Sequence, residues 1–239
     1  MFWKTPSIKQ LLPPPVKAAH GEYSMILSTH DEVSRPTPEL IALSLQAIQA
    51  ASQLDLSPIA KGRQHVPHYM GLWPGEHYKL LAGLVQVLQP RLIVEIGTAT
   101  GLSALCMKRF LPPGGKVMTF DLVPWQQYPK TVLTQSDFAD GSLVQYVEDL
   151  SQSATFERHA STIAGAALIF IDATHDGALE KQLLEQLERI AFSQQVYLVF
   201  DDIRVWTMLK MWREIRLPKL DLTSFGHWSG TGLVAKRLD

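Results

Sequence analysis

The run from Leu92 to Ser103, LIVEIGTATGLS, constrains what this chain can fold into more than any other stretch. Its first five residues are apolar except for Glu95, the composition of a strand buried on both faces. The chain then turns between Gly97 and Gly101. An amphipathic helix follows, with Leu102, Leu105 and Phe110 on one face and Lys108 and Arg109 on another. Glycine lets a backbone approach a ligand closely, and the first turn of a helix offers free N–H groups. Strand, glycine turn and helix N-terminus together make a nucleotide-binding corner. A dinucleotide fingerprint would need glycine at 97, 99 and 102, but this chain has Gly97, Ala99 and Leu102. The pyrophosphate reading, and with it an NAD-dependent oxidoreductase, is disfavoured.

Beyond this corner the pattern alternates. Short apolar strands are expected at 92–96, 116–121, 144–148, 167–171, 196–200 and 231–236, with helices at 101–110, 151–163, 177–191 and 204–213. Such alternation predicts an α/β, doubly wound, mostly parallel sheet covered on both faces. The helix at 177–191 is the clearest. Leu179, Leu183, Leu187 and Ile190 recur at helical spacing, and Glu180, Lys181, Glu185 and Glu188 are expected outside. Upstream, 37–53 reads as a helix opened by Thr37-Pro38, 55–74 as loop, and 75–88 as a second helix ended by Pro90. Residues 1–35 are punctuated by proline and read as an arm or an irregular cover. The chain thus divides into an N-terminal arm and cover helix over 1–70 and one domain over 71–239.

Charge and composition narrow the partners. A net charge of −1 gives no electrostatic case for nucleic acid or an anionic membrane. No run approaches the roughly eighteen apolar residues of a transmembrane helix. The stretch MFWKTPSIKQLLPPPV lacks the continuous apolar segment of a secretory signal. The expectation is a cytoplasmic protein with no nucleic-acid and no membrane partner. Cys106 is the only cysteine, which forbids an intrachain disulfide, and inside the 101–110 helix it reads as core. The proline-rich arm and an exposed N-terminal helix make a homodimer plausible.

Glu-x-Gly-x-x-x-Gly suits a ligand with an amino-acid tail and an adenosine, where carboxylate and ammonium replace phosphates. EIGTATG followed by Ser103 resembles the first motif of class I S-adenosylmethionine-dependent methyltransferases. Its wording is closest to the catechol and caffeoyl-CoA O-methyltransferase group and its bacterial relatives. The resemblance spans roughly 70–236. It implies a seven-stranded Rossmann-like sheet with an N-terminal helical cover. It also implies S-adenosylmethionine as cofactor, held by Glu95, Gly97, Thr98, Ala99, Gly101 and Ser103.

In doubly wound sheets the ligand lies outside the carboxyl ends of the strands, so polar residues there are candidates. Asp121 ends KVMTFD and can accept hydrogen bonds from both ribose hydroxyls. VQYVEDL closes on Asp149 and Leu150, where the resembling enzymes hold the adenine edge. Asp149 takes that role with Leu150 packing the ring, and Asp137 competes with Asp149. HYMGLWPGEHYKLLAGL resembles the family's gate, in which Glu76 would meet the cofactor ammonium and Tyr78 would line the wall. Glu76 reads equally as a first-turn acid favouring the helix dipole. Met70, Trp73, Trp206 and Trp228 are candidates for an aromatic substrate wall, although core packing explains each as well.

The strands ALIFIDATHD and VYLVFDDI carry Asp172, His175 and Asp176, and Asp201-Asp202, at their ends. Neighbouring strands lie ~4.8 Å apart, so these carboxylates meet and repel unless a hard divalent cation joins them. IDATH resembles the family's Ile-Asp-Ala-Asp-Lys, and FDDI its Asp-Asn pair. On that match Asp172, Asp201 and Asp202 stand at the three metal-ligand positions, for magnesium or calcium, and Asp172 also borders the cofactor. Asp202 replaces the family's asparagine and would leave the loaded site at −1, which disfavours a catecholate. Without metal, the carboxylates would orient a substrate instead.

His175 stands where the family's lysine takes the proton from the substrate hydroxyl, and histidine is a usual general base near neutral pH. The blander reading is a loop residue at the start of the next helix, where Asp176 is the simpler N-cap. His227 in GHWSGTG is a second candidate base. The expected reaction is methyl transfer from S-adenosylmethionine to a hydroxyl of a small-molecule acceptor. The alternatives are a cofactor-binding protein without transferase activity, and a methyltransferase acting on nitrogen or on a protein.

Overall fold

The computed structural model describes residues 16–17, 23–24, 34–205 and 207–236. The arm expected over 1–35 falls almost wholly outside the described residues, as does Trp206. Within it, Val16–Lys17 pairs antiparallel with Tyr23–Ser24.

Seven strands form the main sheet: β1 Leu92–Ile96, β2 Lys116–Asp121, β3 Leu143–Val147, β4 Leu168–Ile171, β5 Val196–Asp201, β6 Lys219–Asp221 and β7 Thr231–Lys236. Their order across the sheet is β3-β2-β1-β4-β5-β7-β6. β1 to β5 are parallel, and β7 runs antiparallel to both β5 and β6. The direction of winding reverses between β1 and β4, which is where a doubly wound sheet opens a crevice for a ligand.

The longer helices are α1 Pro38–Gln53, α2 Tyr78–Leu88, α3 Leu102–Arg109, α4 Ser153–Ile163, α5 Ala178–Glu188 and α6 Met208–Glu214, and a single helical turn, Ser57–Ala60, interrupts the loop expected over 55–74. Strand side chains alternate between faces, and the core divides accordingly. Ile93, Val117, Leu168, Phe170 and Val199 pack with α1, α2 and α3 on one side. Val94, Ile96, Met118, Ile169, Ile171 and Phe200 pack with α4, α5 and α6 on the other. Both faces of β1 and β4 are therefore buried, which is why these strands read as continuous apolar runs. Cys106 lies in the first of these cores, fully buried. Thr37 caps α1 as expected, accepting the Leu40 N–H at 3.2 Å. No described helix is long and apolar enough to cross a membrane.

Four differences from the sequence reading have physical causes. α2 begins at Tyr78 because the residues before it are drawn to the C-terminal segment: Gly75 N–H donates to Gly226 O at 3.2 Å and Trp228 N–H to Gly75 O at 3.1 Å. α6 begins at Met208 because Arg204 N–H donates to Ser229 O at 3.0 Å, tying the strand end to the same segment. β6 is a three-residue edge strand, too short and too polar to announce itself. Glu180, expected outside, is 1% exposed. Its carboxylate turns back to accept N–H groups of His175 and Gly177, both at 2.9 Å, and so satisfies the free donors ahead of α5. Asp176, expected as the N-cap, stands one residue ahead of the N-cap Gly177 and still accepts from Ala178 and Leu179 at 2.8 and 3.0 Å.

Candidate functional site

A crevice of about 330 Å³ opens at the carboxyl ends of β1 to β4, lined by Gly97, Ala99, Asp121, Asp149, Leu150 and Asp172 among others. Its floor depends on Gly97. The residue has φ +103°, and a Cβ there would fall 1.8 Å from the Asp172 carbonyl oxygen, so only glycine lets the two strand ends meet. Gly101, with φ +83°, forms the N-cap of α3.

Asp121 is held rigidly. One carboxylate oxygen accepts the Ala99 N–H at 2.8 Å and the other the Val123 N–H at 3.0 Å, so the β2 carboxylate also fixes the glycine turn. Thr98 and Thr119 join hydroxyls at 2.7 Å beneath it. On the far wall, Asp149 accepts from Ser151 and Gln152. Burial acts to raise its pKa, but these bonds outweigh it and hold the carboxyl below its usual value. Asp137, its competitor in the sequence, lies elsewhere: Arg63 binds it through both guanidinium nitrogens, and it accepts from Thr134 N–H at 2.7 Å. Its carboxylate is committed to the fold and does not line the crevice.

Glu95, Thr98, Gly101 and Ser103 stand behind the lining. Glu95 is fully buried and accepts the Ser103 hydroxyl at 2.6 Å. Burial pushes its carboxyl up to about 7, against the opposing pull of the Ser103 and Thr119 hydroxyls.

Beyond Asp172 lies a second region, where three acids alternate with three histidines. His175 reaches Asp172 Oδ1 through Nε2 at 3.4 Å and Asp202 Oδ2 through Nδ1 at 3.2 Å. His227 Nδ1 lies 3.3 Å from Asp201 Oδ2 and 3.2 Å from Asp202 Oδ1. His77 Nδ1 lies 3.3 Å from the same Asp201 oxygen. Ser229 donates to Asp202 and meets His227 Nδ1 at 2.6 Å. Glu76 stands at the edge of this cluster, 3.8 Å from His227 Nε2, and outside the crevice lining.

The charges settle one another. Burial opposes protonation of His227, but the Asp201 and Asp202 carboxylates outweigh it and raise the imidazole to about 10. Burial likewise opposes a charge on His77, and the Asp201 carboxylate again reverses the sign. Asp201, buried but flanked by both rings, is held well below the usual carboxylate range. Asp172 has the opposite fate: burial and the Asp201 charge raise it to about 6.

His77 escaped sequence reading, although it follows Glu76 directly in GEHY. Its partners sit more than a hundred residues away along the chain, at Asp201 and His227. Of the proposed aromatic wall, Met70 is buried in the core, Trp73 donates its indole N–H to Phe225 O at 2.8 Å, and Trp228 is exposed.

A magnesium or calcium site would gather several oxygens about one point. Among the described residues, however, the side chains whose donor atoms lie within 4.8 Å of one another are His77, Asp201 and His227. Asp172 and Asp202 lie outside that set; both face His175, and Asp202 also borders His227. The donor chemistry is nitrogen-rich and does not fit a hard cation held by the three aspartates.

The sheet order, the crevice at the winding reversal and the glycine corner define the class I methyltransferase fold. Residues 94–203 match the family described as a methyltransferase domain. A structure from Staphylococcus aureus, provisionally described as a caffeoyl-CoA O-methyltransferase, is 15% identical with a TM-score of 0.51, covering 82% of this chain and 99% of that one. One from Klebsiella pneumoniae, provisionally an O-methyltransferase, is 19% identical with a TM-score of 0.50, covering 85% and 91%. No curated protein matches the sequence. The matched segment spans a little under half of the chain, and the chain as a whole has the fold of class I S-adenosylmethionine-dependent methyltransferases.

Proposed function

We propose that the protein transfers a methyl group from S-adenosylmethionine to a hydroxyl of a small-molecule acceptor, with His175 as general base. One observation carries the reading: Asp172 lines the crevice and also lies 3.4 Å from His175, so the cofactor cavity and a candidate base share a wall. In this reading Asp121 accepts hydrogen bonds from the ribose hydroxyls, Asp149 meets the adenine edge and Leu150 packs against the ring. Gly97, Thr98, Ala99 and Gly101 form the turn beneath the amino-acid tail, with Glu95 and Ser103 bracing it from behind. Glu76, at the edge of the acid–histidine cluster, is the candidate for the cofactor ammonium.

The acceptor would enter on the side of the histidines. His175, oriented by Asp172 and Asp202, would remove the hydroxyl proton while the acceptor oxygen attacks the methyl carbon in line with the sulfonium. As the new O–CH3 bond forms, the S–CH3 bond breaks and S-adenosylhomocysteine leaves. Two carboxylates flank the ring and orient it, as in other oriented histidine bases. Most of the acceleration comes from positioning the acceptor oxygen against the methyl group.

The test is a panel of small hydroxylated acceptors with radiolabelled S-adenosylmethionine. His175→Ala is expected to lower turnover by about 10²–10⁴-fold while S-adenosylhomocysteine affinity stays unchanged. Turnover unaffected by that substitution would remove the base, and label transferred only to amines or to protein would move the reaction off oxygen.

A further inference from the structure

We propose that His77, Asp201 and His227 form a binding site for a divalent transition metal such as zinc, in place of a magnesium or calcium site on the three aspartates. The three side chains come from segments far apart in sequence: the residue before α2, the end of β5 and the loop before β7. They nonetheless bring one donor atom each to within 4.8 Å of one another. That is the spacing of ligands around one ion.

A second observation points the same way. His77 is 4% exposed and Asp201 3%; Nδ1 of His77 lies 3.3 Å from Asp201 Oδ2, yet Nε2 of His77 and Oδ1 of Asp201 have no hydrogen-bond partner. Buried polar atoms are nearly always satisfied, and an orphaned imidazole nitrogen beside an orphaned carboxylate oxygen needs an explanation. A cation accepting electron pairs from both supplies it.

The donor set also selects the ion. Imidazole suits zinc, iron, nickel and copper, whereas carboxylate-only shells suit magnesium and calcium. Two histidines and one carboxylate leave coordination positions open, the arrangement of a site that takes an exogenous ligand. The surroundings resemble the outer partners that fix metal-bound histidines. Ser229 meets His227 Nδ1 at 2.6 Å and donates in turn to Asp202, so the orientation of the ring is fixed. The site adjoins the proposed acceptor side through Asp202, which also faces His175.

The experiment uses the full chain after chelator treatment, with neither cofactor nor acceptor, so its outcome is independent of the methyl-transfer reading. Calorimetric titrations with zinc, cobalt(II) and magnesium are read beside the visible spectrum of the cobalt-loaded protein. The expected result is one equivalent of zinc or cobalt, with magnesium at least about a hundredfold weaker, and a cobalt spectrum that His227→Ala changes. His227→Ala is expected to weaken zinc by more than the ~10–100-fold typical of losing an outer partner, while Asp172→Asn stays within a few-fold of the parent. Should the histidine variant fail to fold, the zinc-over-magnesium preference of the parent and the Asp172→Asn titration still decide. Folded parent protein that takes up no zinc or cobalt would overturn the proposal. So would magnesium binding as tight as zinc and lost in Asp172→Asn, which would restore the three-aspartate set.

Discussion

The glycine corner and the acid–histidine cluster sit on opposite sides of Asp172 and are built on different principles. The corner is contiguous: β1, the turn at Gly97–Gly101 and α3 follow one another, and Asp121, which braces the turn, lies at the end of the next strand in the sheet. Its order comes from backbone geometry and from hydrogen bonds to main-chain N–H groups. The cluster is assembled from four separate stretches, around His77, Asp172–His175, Asp201–Asp202 and His227–Ser229, and its order comes from side-chain charge. The corner is made to hold a ligand of fixed shape. The cluster holds its charge through paired carboxylates and imidazoles, which suits the acceptor-side role proposed for it.

Three measurements sharpen or break this contrast. The largest stability effect concerns the acids that serve only the fold. Arg63→Ala leaves the Asp137 carboxylate, which is 8% exposed, without its cation; the pair is partly buried, and stranding its carboxylate costs about 3 kcal/mol. Denaturant unfolding should show that loss with S-adenosylhomocysteine affinity unchanged in the folded fraction. A specific loss of cofactor affinity instead would return Asp137 to the ligand site and blur the division between scaffold and corner.

The next effect is a pH dependence inside the corner. Glu95 keeps its proton in the folded state up to about 7, whereas the ordinary carboxyl releases it near 4.5. Between those values the folded chain binds the proton and the unfolded chain does not. The stability contribution is therefore full below pH 4.5 and is lost as pH rises through 7. Glu95→Gln, which cannot ionise, should be progressively more stable relative to the parent across that window, by up to about 3 kcal/mol, and level above it. A difference that does not vary with pH would mean that Glu95 is not titrating against its burial.

The same contrast explains how much was legible in the sequence. The corner, Asp121 and the parallel sheet could be read because each depends on spacing within a few residues or on the order of strands. Asp149 and Asp137 could not be separated, since nothing local to either reveals that Arg63 neutralises one of them. Glu180 followed the solvent side of the helical pattern, but the unsatisfied N–H groups at the start of α5 drew it inward. His77 was invisible as a functional residue because its role exists only once the C-terminal segment folds back against Gly75. The strand-end aspartates were correctly seen as neighbours. What the sequence could not reveal was that histidines from elsewhere would stand between them.

The central claim is that the corner binds S-adenosylmethionine through Asp121. Calorimetry with S-adenosylhomocysteine tests it most directly, on the parent and on Asp121→Ala. Saturable binding by the parent is expected, weakened about 10–100-fold in the variant, the equivalent of losing charge-assisted hydrogen bonds to the ribose. No binding by the folded parent, or tight NADH binding in its place, would contradict it.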